Sequence, residues 1–387
     1  MLVIRAARLF DGVDATVERP AVVVDGGRIV EVRSGGDPPA GEVVDLGSAT
    51  LLPGLIDAHQ HLIFDGGPGP VARLDTIDDG EAFEGMRVAA LRALNGGVTT
   101  VRDLGDRNYL AVRLREQFAA VPGSGPRILT AGPPVTTPGG HCWFLGGAVE
   151  GVEGVRAGVR ERAEHGVDVI KVMATGGEMT VGTHSFEPQF GVDELRAAVD
   201  QAHKLGLRVT AHAHGVSGIA NVIAAGVDMI EHCSFMTPDG AGVDEDVLDQ
   251  LAASDITVSL TLAIKPGEPL TPRMTALLPT ILDIGRLIRG RGVRVVGSSD
   301  AGIGPAKPHD VLPYGAEALV DKLGATPAEA LRAVTSAAAE ACGIGDRAGR
   351  LAAGYDADLL AVDGDPLTDI AAIHRLSAVF RAGKRVR

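Results

Sequence analysis

The chain has 387 residues, of which 45% are hydrophobic and 22% charged, the balance of a globular protein too large for one small core. Its formal charge of −14 at pH 7 repels nucleic acid and anionic membrane surfaces. No run reaches the roughly 18 uninterrupted apolar residues that a spanning helix needs. The cysteines, Cys142, Cys233 and Cys342, are scattered without a C-x-x-C pair, so they read as small packing residues in a reducing compartment.

The first ten residues are interrupted by Arg5 and Arg8 and read as a strand rather than a signal peptide, so a cytoplasmic protein is expected. Strand-like runs follow at 2–8, 21–25, 28–33 and 42–46, with Asp-Gly-Gly-Arg at 25–28 as a hairpin signal. These strands bury little alone. The tail supplies partners at 357–363 and 377–386, which predicts a small β-sandwich built from both ends of the chain, 1–52 and 348–387. Between them, 53–347, strand and helix patterns alternate. Strands are predicted at 50–61, 98–104, 127–131, 167–173, 208–212, 229–232, 257–262 and 293–298, most of them continuous Val- and Ile-rich runs suited to a parallel sheet covered on both faces. Helices are predicted at 81–94, 154–165, 192–205 and 217–225, with Gly96, Gly166, Gly206 and Gly226 as stop signals. Eight such units specify an α/β fold of the (β/α)₈ barrel type. No G-x-G-x-x-G opens an early helix, which disfavours a doubly wound dinucleotide fold.

In a barrel, chemistry belongs at the carboxyl ends of the strands. His59 and His61 stand there on the first strand, spaced so that both side chains share a face. Lys171 lies late in the fourth, on the face of Val169 and Met173. His212 ends the fifth, His232 the sixth, and Asp300 follows the eighth. Imidazole and carboxylate donors at successive strand ends point to a metal site.

These residues carry a resemblance to the amidohydrolase superfamily, in its imidazolonepropionase-like and prolidase-like (Xaa-Pro dipeptidase-like) branch. The matching motifs are Pro-Gly-Leu-Ile-Asp-Ala-His-Gln-His at 53–61, Gly-Val-Thr-Thr-Val-Arg-Asp at 97–103, Ile170-Lys171, Ala-His-Ala-His-Gly at 211–215, Ile-Glu-His at 230–232, Asp-Ala-Gly at 300–302 and the stretch 349–360. The resemblance implies two divalent ions, with zinc suiting the donors and manganese or iron as alternatives. His59, His61 and Asp300 would hold one ion, His212 and His232 the second, and Lys171, carboxylated on its amine, would link them. It also implies attack on an amide-type C–N bond by a hydroxide shared between the ions, with Asp300 shuttling its proton to the leaving amine. His141, in a Gly-rich loop, would contact the substrate carbonyl; the alternative is a loop histidine packed under Trp143. His214 is read as supporting the ligands or touching substrate, against a structural role.

Rival readings are a mononuclear deaminase, a cyclic amidohydrolase opening an imidazolone or lactam ring, and a non-catalytic binding homologue. The deaminase reading is disfavoured by Gly215 and Ser217, which stand where a glutamate shuttle would follow His212 or His214, and by Lys171. The binding homologue is disfavoured because all six ligands are present. An N-acyl amino acid or an Xaa-Pro-like dipeptide is the expected small-molecule substrate, and self-association is compatible with the sequence. Specificity is assigned to the loops 65–76, 136–150, 177–191, 262–273 and 301–314, the third of which, carrying Met179, Phe186 and Phe190, could act as a lid. Arg102, Arg107 and Arg273 are carboxylate-binding candidates for which surface roles are favoured. Asp103 is read as a structural hydrogen-bond acceptor. Ser299 stands where similar proteins more often carry Thr and retains the hydroxyl. His165, His203 and His374 are assigned structural or surface roles, and His184 and His309 to loops near the mouth.

Overall fold

The computed structural model describes residues 1–35 and 41–387; positions 36–40, within the span assigned to the terminal sandwich, lie outside the described residues. The chain ends build two sheets. One runs Arg28–Ser34, Pro20–Asp25, Leu2–Arg5, Glu42–Asp45; the other runs Lys384–Arg385, Leu376–Arg381, Leu359–Val362, Thr50–Pro53, Arg8–Phe10, Thr16–Glu18. Ile4, Val22 and Val24 of the first meet Leu9, Leu51, Leu359 and Phe380 of the second in one buried cluster, so two faces that could not desolvate alone cover each other.

Eight parallel strands alternate with helices between these ends: β1 (Leu55–Gln60), β2 (Val98–Asp103), β3 (Arg127–Thr130), β4 (Val169–Met173), β5 (Arg208–Gly215), β6 (Met229–Thr237), β7 (Thr257–Leu260) and β8 (Arg294–Gly297). They form two ladders, β3-β2-β1 and β4-β5-β6-β7-β8. Single bridges at Val135–Val172 and Gln60–Ala301 link the ladders, so the hydrogen-bonded ring is not continuous. Both seams run through functional candidates. Val135 donates to the Lys171 carbonyl (2.8 Å), and Asp300 and His61 exchange bonds with His59 and Ala301 (2.8 and 2.9 Å).

The expected single strand over 50–61 is two. Thr50–Pro53 pairs antiparallel with Leu359–Val362 in the terminal sheet, whereas β1 pairs parallel with β2. Gly54 makes the change of sheet: a Cβ there would lie 2.1 Å from the Thr99 hydroxyl, so the strands approach only because the side chain is absent. β5 and β6 also outrun their predicted ends. β5 continues through His214, with a register shift against β6 after Ala213. In β6, His232, Cys233 and Phe235 all take positive φ. Helices Asp79–Asn95, Gly151–Glu164, Val192–Lys204 and Val216–Ala225 lie close to their expected spans, and Gly166, Gly206 and Gly226 adopt the left-handed conformation that ends a helix.

After β7, Thr271 caps the helix Pro272–Gly290 by accepting from the Met274 amide (3.1 Å), with Pro272 in the first turn where its missing N–H costs nothing. No helix among the described residues is long and apolar enough to cross a membrane.

Candidate metal centre

His59, His61 and Asp300 converge at the end of β1 and the turn after β8. The Nε2 atoms of the two histidines lie 3.2 Å apart, and each is 3.3 Å from Asp300 Oδ1. A tetrahedral zinc site with arms of about 2.0–2.1 Å has donor–donor edges of about 3.3 Å, so three lone pairs already stand at the spacing a cation would impose. Asp300 takes φ of 58° and is 8% exposed. A non-glycine residue in that region is uncommon, though Asp and Asn tolerate it best. Burial would raise its carboxyl, but neighbouring His59 and His61, then Lys307, hold it well below the usual carboxylate range.

The surrounding polar groups fix these donors. Asp57, wholly buried, accepts from the Ser299 amide (3.1 Å), the His59 amide (3.3 Å) and Gln60 Nε2 (2.8 Å), and burial pushes its carboxyl up to about 6. The Ser299 hydroxyl donates to the His59 carbonyl (3.3 Å) and accepts from the Ala301 amide (2.9 Å), so the single hydroxyl bridges β1 to the Asp300 turn. Glu231 accepts from His59 Nδ1 (2.8 Å), Arg102 (2.9 Å) and Thr210 (2.5 Å). That arrangement commits His59 to present Nε2.

A second group, His212, His214 and His232, brings its ring nitrogens within 4.8 Å of one another. His232 Nδ1 meets Thr261 Oγ1 (2.9 Å) and His214 Nδ1 meets Ser234 Oγ (2.7 Å), which orients both rings; His212 Nε2 lies 3.1 Å from the Gly176 carbonyl. The His59 and His232 rings are 5.0 Å apart, so the two groups adjoin. Burial holds His59 and His214 down to about 4 and His212 and His232 well below the ordinary imidazole value, so all four are neutral near pH 7 and free to donate lone pairs.

Lys171 lines the same cavity. It is 1% exposed, and its Nζ has no hydrogen-bond partner among the described residues. Burial lowers its amine to about 8. At pH 7 roughly one molecule in ten then carries the neutral, nucleophilic amine, against about one in three thousand at the ordinary lysine value. A buried amine with no hydrogen-bond partner, lining the same cavity as both histidine groups, has the chemistry to be a metal-side group.

The cavity of about 200 Å³ also receives His141, Ser234, Thr261 and Lys307. His141 is 5% exposed, stacks obliquely on His212 (4.7 Å between ring centres) and lies against Gly177, whereas Trp143 is half exposed. Burial lowers His141 to about 3. Of the loops assigned to specificity, 136–150, 177–191, 262–273 and 301–314 line the cavity; 65–76 does not, and the helix Pro272–Gly290, which no loop argument singles out, does. Within the lid candidate, Met179 lines the cavity, while Phe190 is packed in the core. Cys142 and Cys233 are buried in the cavity wall, and burial pushes the Cys142 thiol up to about 12.

The three arginines fall elsewhere. Arg102 is not at the surface: it is 2% exposed and bonded to Glu231 and the Ala58 carbonyl (2.6 Å), because Glu231 supplies a buried counter-charge that the strand pattern hides. Arg107 bonds Asp79 and the carbonyls of Leu74 and Ile77, and Arg273 faces Glu178 at 3.5 Å. Asp103 accepts from the Leu62 and Gly105 amides (2.7 and 3.2 Å), a structural role. His309 is buried against the Phe64 carbonyl (2.9 Å), and His203, His165 and His374 pair with Asp228, Tyr109 and Glu317.

Residues 50–386 match the amidohydrolase family model. Ochratoxinase of Aspergillus niger is 28% identical over 99% of this chain and 85% of its own length. Imidazolonepropionase of Streptomyces griseus subsp. griseus is 26% identical over 96% of this chain and 93% of its own. Among solved structures, a Xaa-Pro dipeptidase with methionine bound in its active site superposes with a TM-score of 0.88 at 28% identity, covering 100% of this chain and 99% of that one. Together with the polar cluster at the strand ends, these matches show that the chain belongs to the amidohydrolase family and is a hydrolase acting on carbon–nitrogen bonds.

Proposed function

We propose that the protein is a binuclear metal-dependent hydrolase of an amide-type C–N bond, with an N-acyl amino acid or Xaa-Pro-like dipeptide as substrate. His59, His61 and Asp300 would hold one divalent ion, His212 and His232 the second, and Lys171, carboxylated on Nζ, would join them. The nitrogen and oxygen donors suit zinc, with manganese or iron as alternatives. When bound, the ions supply a water acidified toward neutrality and polarise the scissile carbonyl. Asp300, held ionised, would accept a proton from the attacking water and pass it to the leaving amine. His141 and His214, neutral and facing the cavity, orient the substrate carbonyl by hydrogen bonding. The orphaned Lys171 amine, lining the same cavity as both histidine groups, is the observation that carries the reading.

Deamination is less well supported. A Cβ on Gly215 would lie 2.4 Å from the Phe186 carbonyl, so a glutamate shuttle has no room at that position. Ring opening of a cyclic amide uses the same groups and remains the rival within hydrolysis.

The test is metal content per chain in the wild type and in Lys171→Ala, with product masses from N-acyl amino acids, dipeptides and cyclic amides. Two ions falling to one or none in the variant are expected, with two products, an acid and an amine, whose masses sum to substrate plus one water; a single product one water heavier would mark ring opening of a cyclic amide. A wild type that holds a single ion, unchanged in Lys171→Ala, or release of ammonia, would overturn the assignment.

A further inference from the structure

The cavity has two unlike ends. One is the histidine cluster with Lys171 and Asp300. The other is apolar: Leu262, Ile264 and Leu270 come from the segment after β7, and Met274, Leu278 and Ile281 from the helix that follows. Met274, Leu278, Ile281 and Gly285 are spaced i, i+4, i+7, i+11, so they form one helical stripe, and all four line the cavity. The three side chains are only partly buried by protein, which is the state of an apolar face that another molecule completes. Charge is scarce at this end. Glu178 is paired with Arg273 at 3.5 Å, and Lys307 spends two donors on the carbonyls of Thr261 and Ser299 (both 2.7 Å). No arginine lines the cavity among the described residues.

We propose that this stripe is the specificity subsite of the hydrolase and takes a bulky, uncharged hydrophobic substituent of the scissile amide. The occupant is the substrate, because apolar wall and histidine cluster bound one continuous cavity. This rests on the hydrolase reading and narrows it. Substrates with a small or charged group at this position leave Met274, Leu278 and Ile281 wet and are turned over poorly. The substituent can sit on the amine side, as the side chain of an amino acid, or on the acyl side.

Two substrate series on the metal-loaded full chain separate those sources: N-acetyl-glycine, -alanine, -leucine and -phenylalanine, and acetyl-, hexanoyl- and benzoyl-glycine. Each buried methylene should raise kcat/KM about fourfold in the series that enters the stripe. Leu278→Asp or Ile281→Asp should flatten that rise, and Leu278→Ala, which keeps the wall apolar, should retain most of it; both positions are partly exposed, so the fold accepts the change. A flat profile in both series, or an Asp variant that keeps the wild-type slope, overturns the proposal. Calorimetric binding of leucine, phenylalanine and glycine to the same proteins, together with hexanoate, benzoate and acetate, provides a readout independent of turnover. If no amide is cleaved, the hydrolase reading fails, while apolar products that bind more tightly than glycine or acetate, and lose that advantage in Leu278→Asp, still support the subsite; equal binding within both sets rejects it.

Discussion

Replacing Glu231 by Gln keeps the shape of the side chain and removes one charge from a site that serves His59, Arg102 and Thr210 at once. An amide has one acceptor oxygen where the carboxylate has two, so one donor is left unmatched. Arg102, fully buried, loses its counter-charge and keeps the Ala58 carbonyl as its remaining short oxygen contact. Breaking one side of a buried pair costs about 3–5 kcal/mol. With about 2.1 cal/mol/K of unfolding entropy per residue over 387 residues, that lowers the melting temperature of the metal-free protein by about 4–6 °C. Metal binding falls separately by about 10–100-fold, since His59 is no longer held in one tautomer. The pH dependence has a defined sign. Burial would raise the Glu231 carboxyl, but His59 and Arg102 outweigh it and hold it well below its ordinary value. Such a group stabilises the fold above the unfolded carboxyl value of about 4.3, and the contribution is lost as pH falls through the folded value. The deficit of the variant is therefore constant from pH 8 to 5 and shrinks only in stronger acid. Calorimetry with and without chelator, and titration of metal against a competing dye, measure the two effects. A variant that melts and binds metal as the wild type does would refute the orienting role of Glu231.

Asp300→Asn should keep the fold, because Asn accepts a φ of 58°, yet lower kcat by about 10²–10⁴-fold; near-normal turnover would contradict a proton-carrying Asp300. The metal-free protein should weaken in mild acid. His59 and His214 are lowered to about 4, so the unfolded chain takes up protons near 6.5 that the folded one refuses, and the stability present above 6.5 is lost as pH falls toward 4. For His59 alone this is about 3 kcal/mol; a urea midpoint that does not move between pH 7 and 5 would speak against it. Gly177→Ala places a Cβ 2.5 Å from the His141 ring and should raise KM without changing metal content, as steady-state kinetics and metal analysis would report.

That His59, His61, Lys171, His212, His232 and Asp300 share one end of the molecule was legible in the sequence because barrel strands deliver their last residues to one face in chain order; the role of each as a ligand came from the family resemblance. The groups that orient them were not legible. Glu231 follows Ile230 and precedes His232, and strand alternation places it away from its neighbour; only the approach of β1 and β2 shows that it serves His59 and Arg102. A charged residue inside an apolar strand, as at Arg102 and Glu231, was the available signal that each needed a buried partner. The stripe on helix Pro272–Gly290 has a readable period, but which way it faces depends on packing. The break at Gly54 was hidden for a different reason: two strands of equal apolarity adjoin, and only the sheet each joins tells them apart.

That junction has a consequence for how the molecule is made. Thr50–Pro53 finds its antiparallel partner in Leu359–Val362, about three hundred residues later, and one glycine separates it from the strand that carries His59. During synthesis the early strand must wait, unpaired along that edge, until almost the whole chain has emerged. Contacts of such sequence separation form slowly, and here the last of them anchors the first segment of the candidate site. The geometry that sets His59 beside Asp300 is thus completed late, after almost the whole chain has been made.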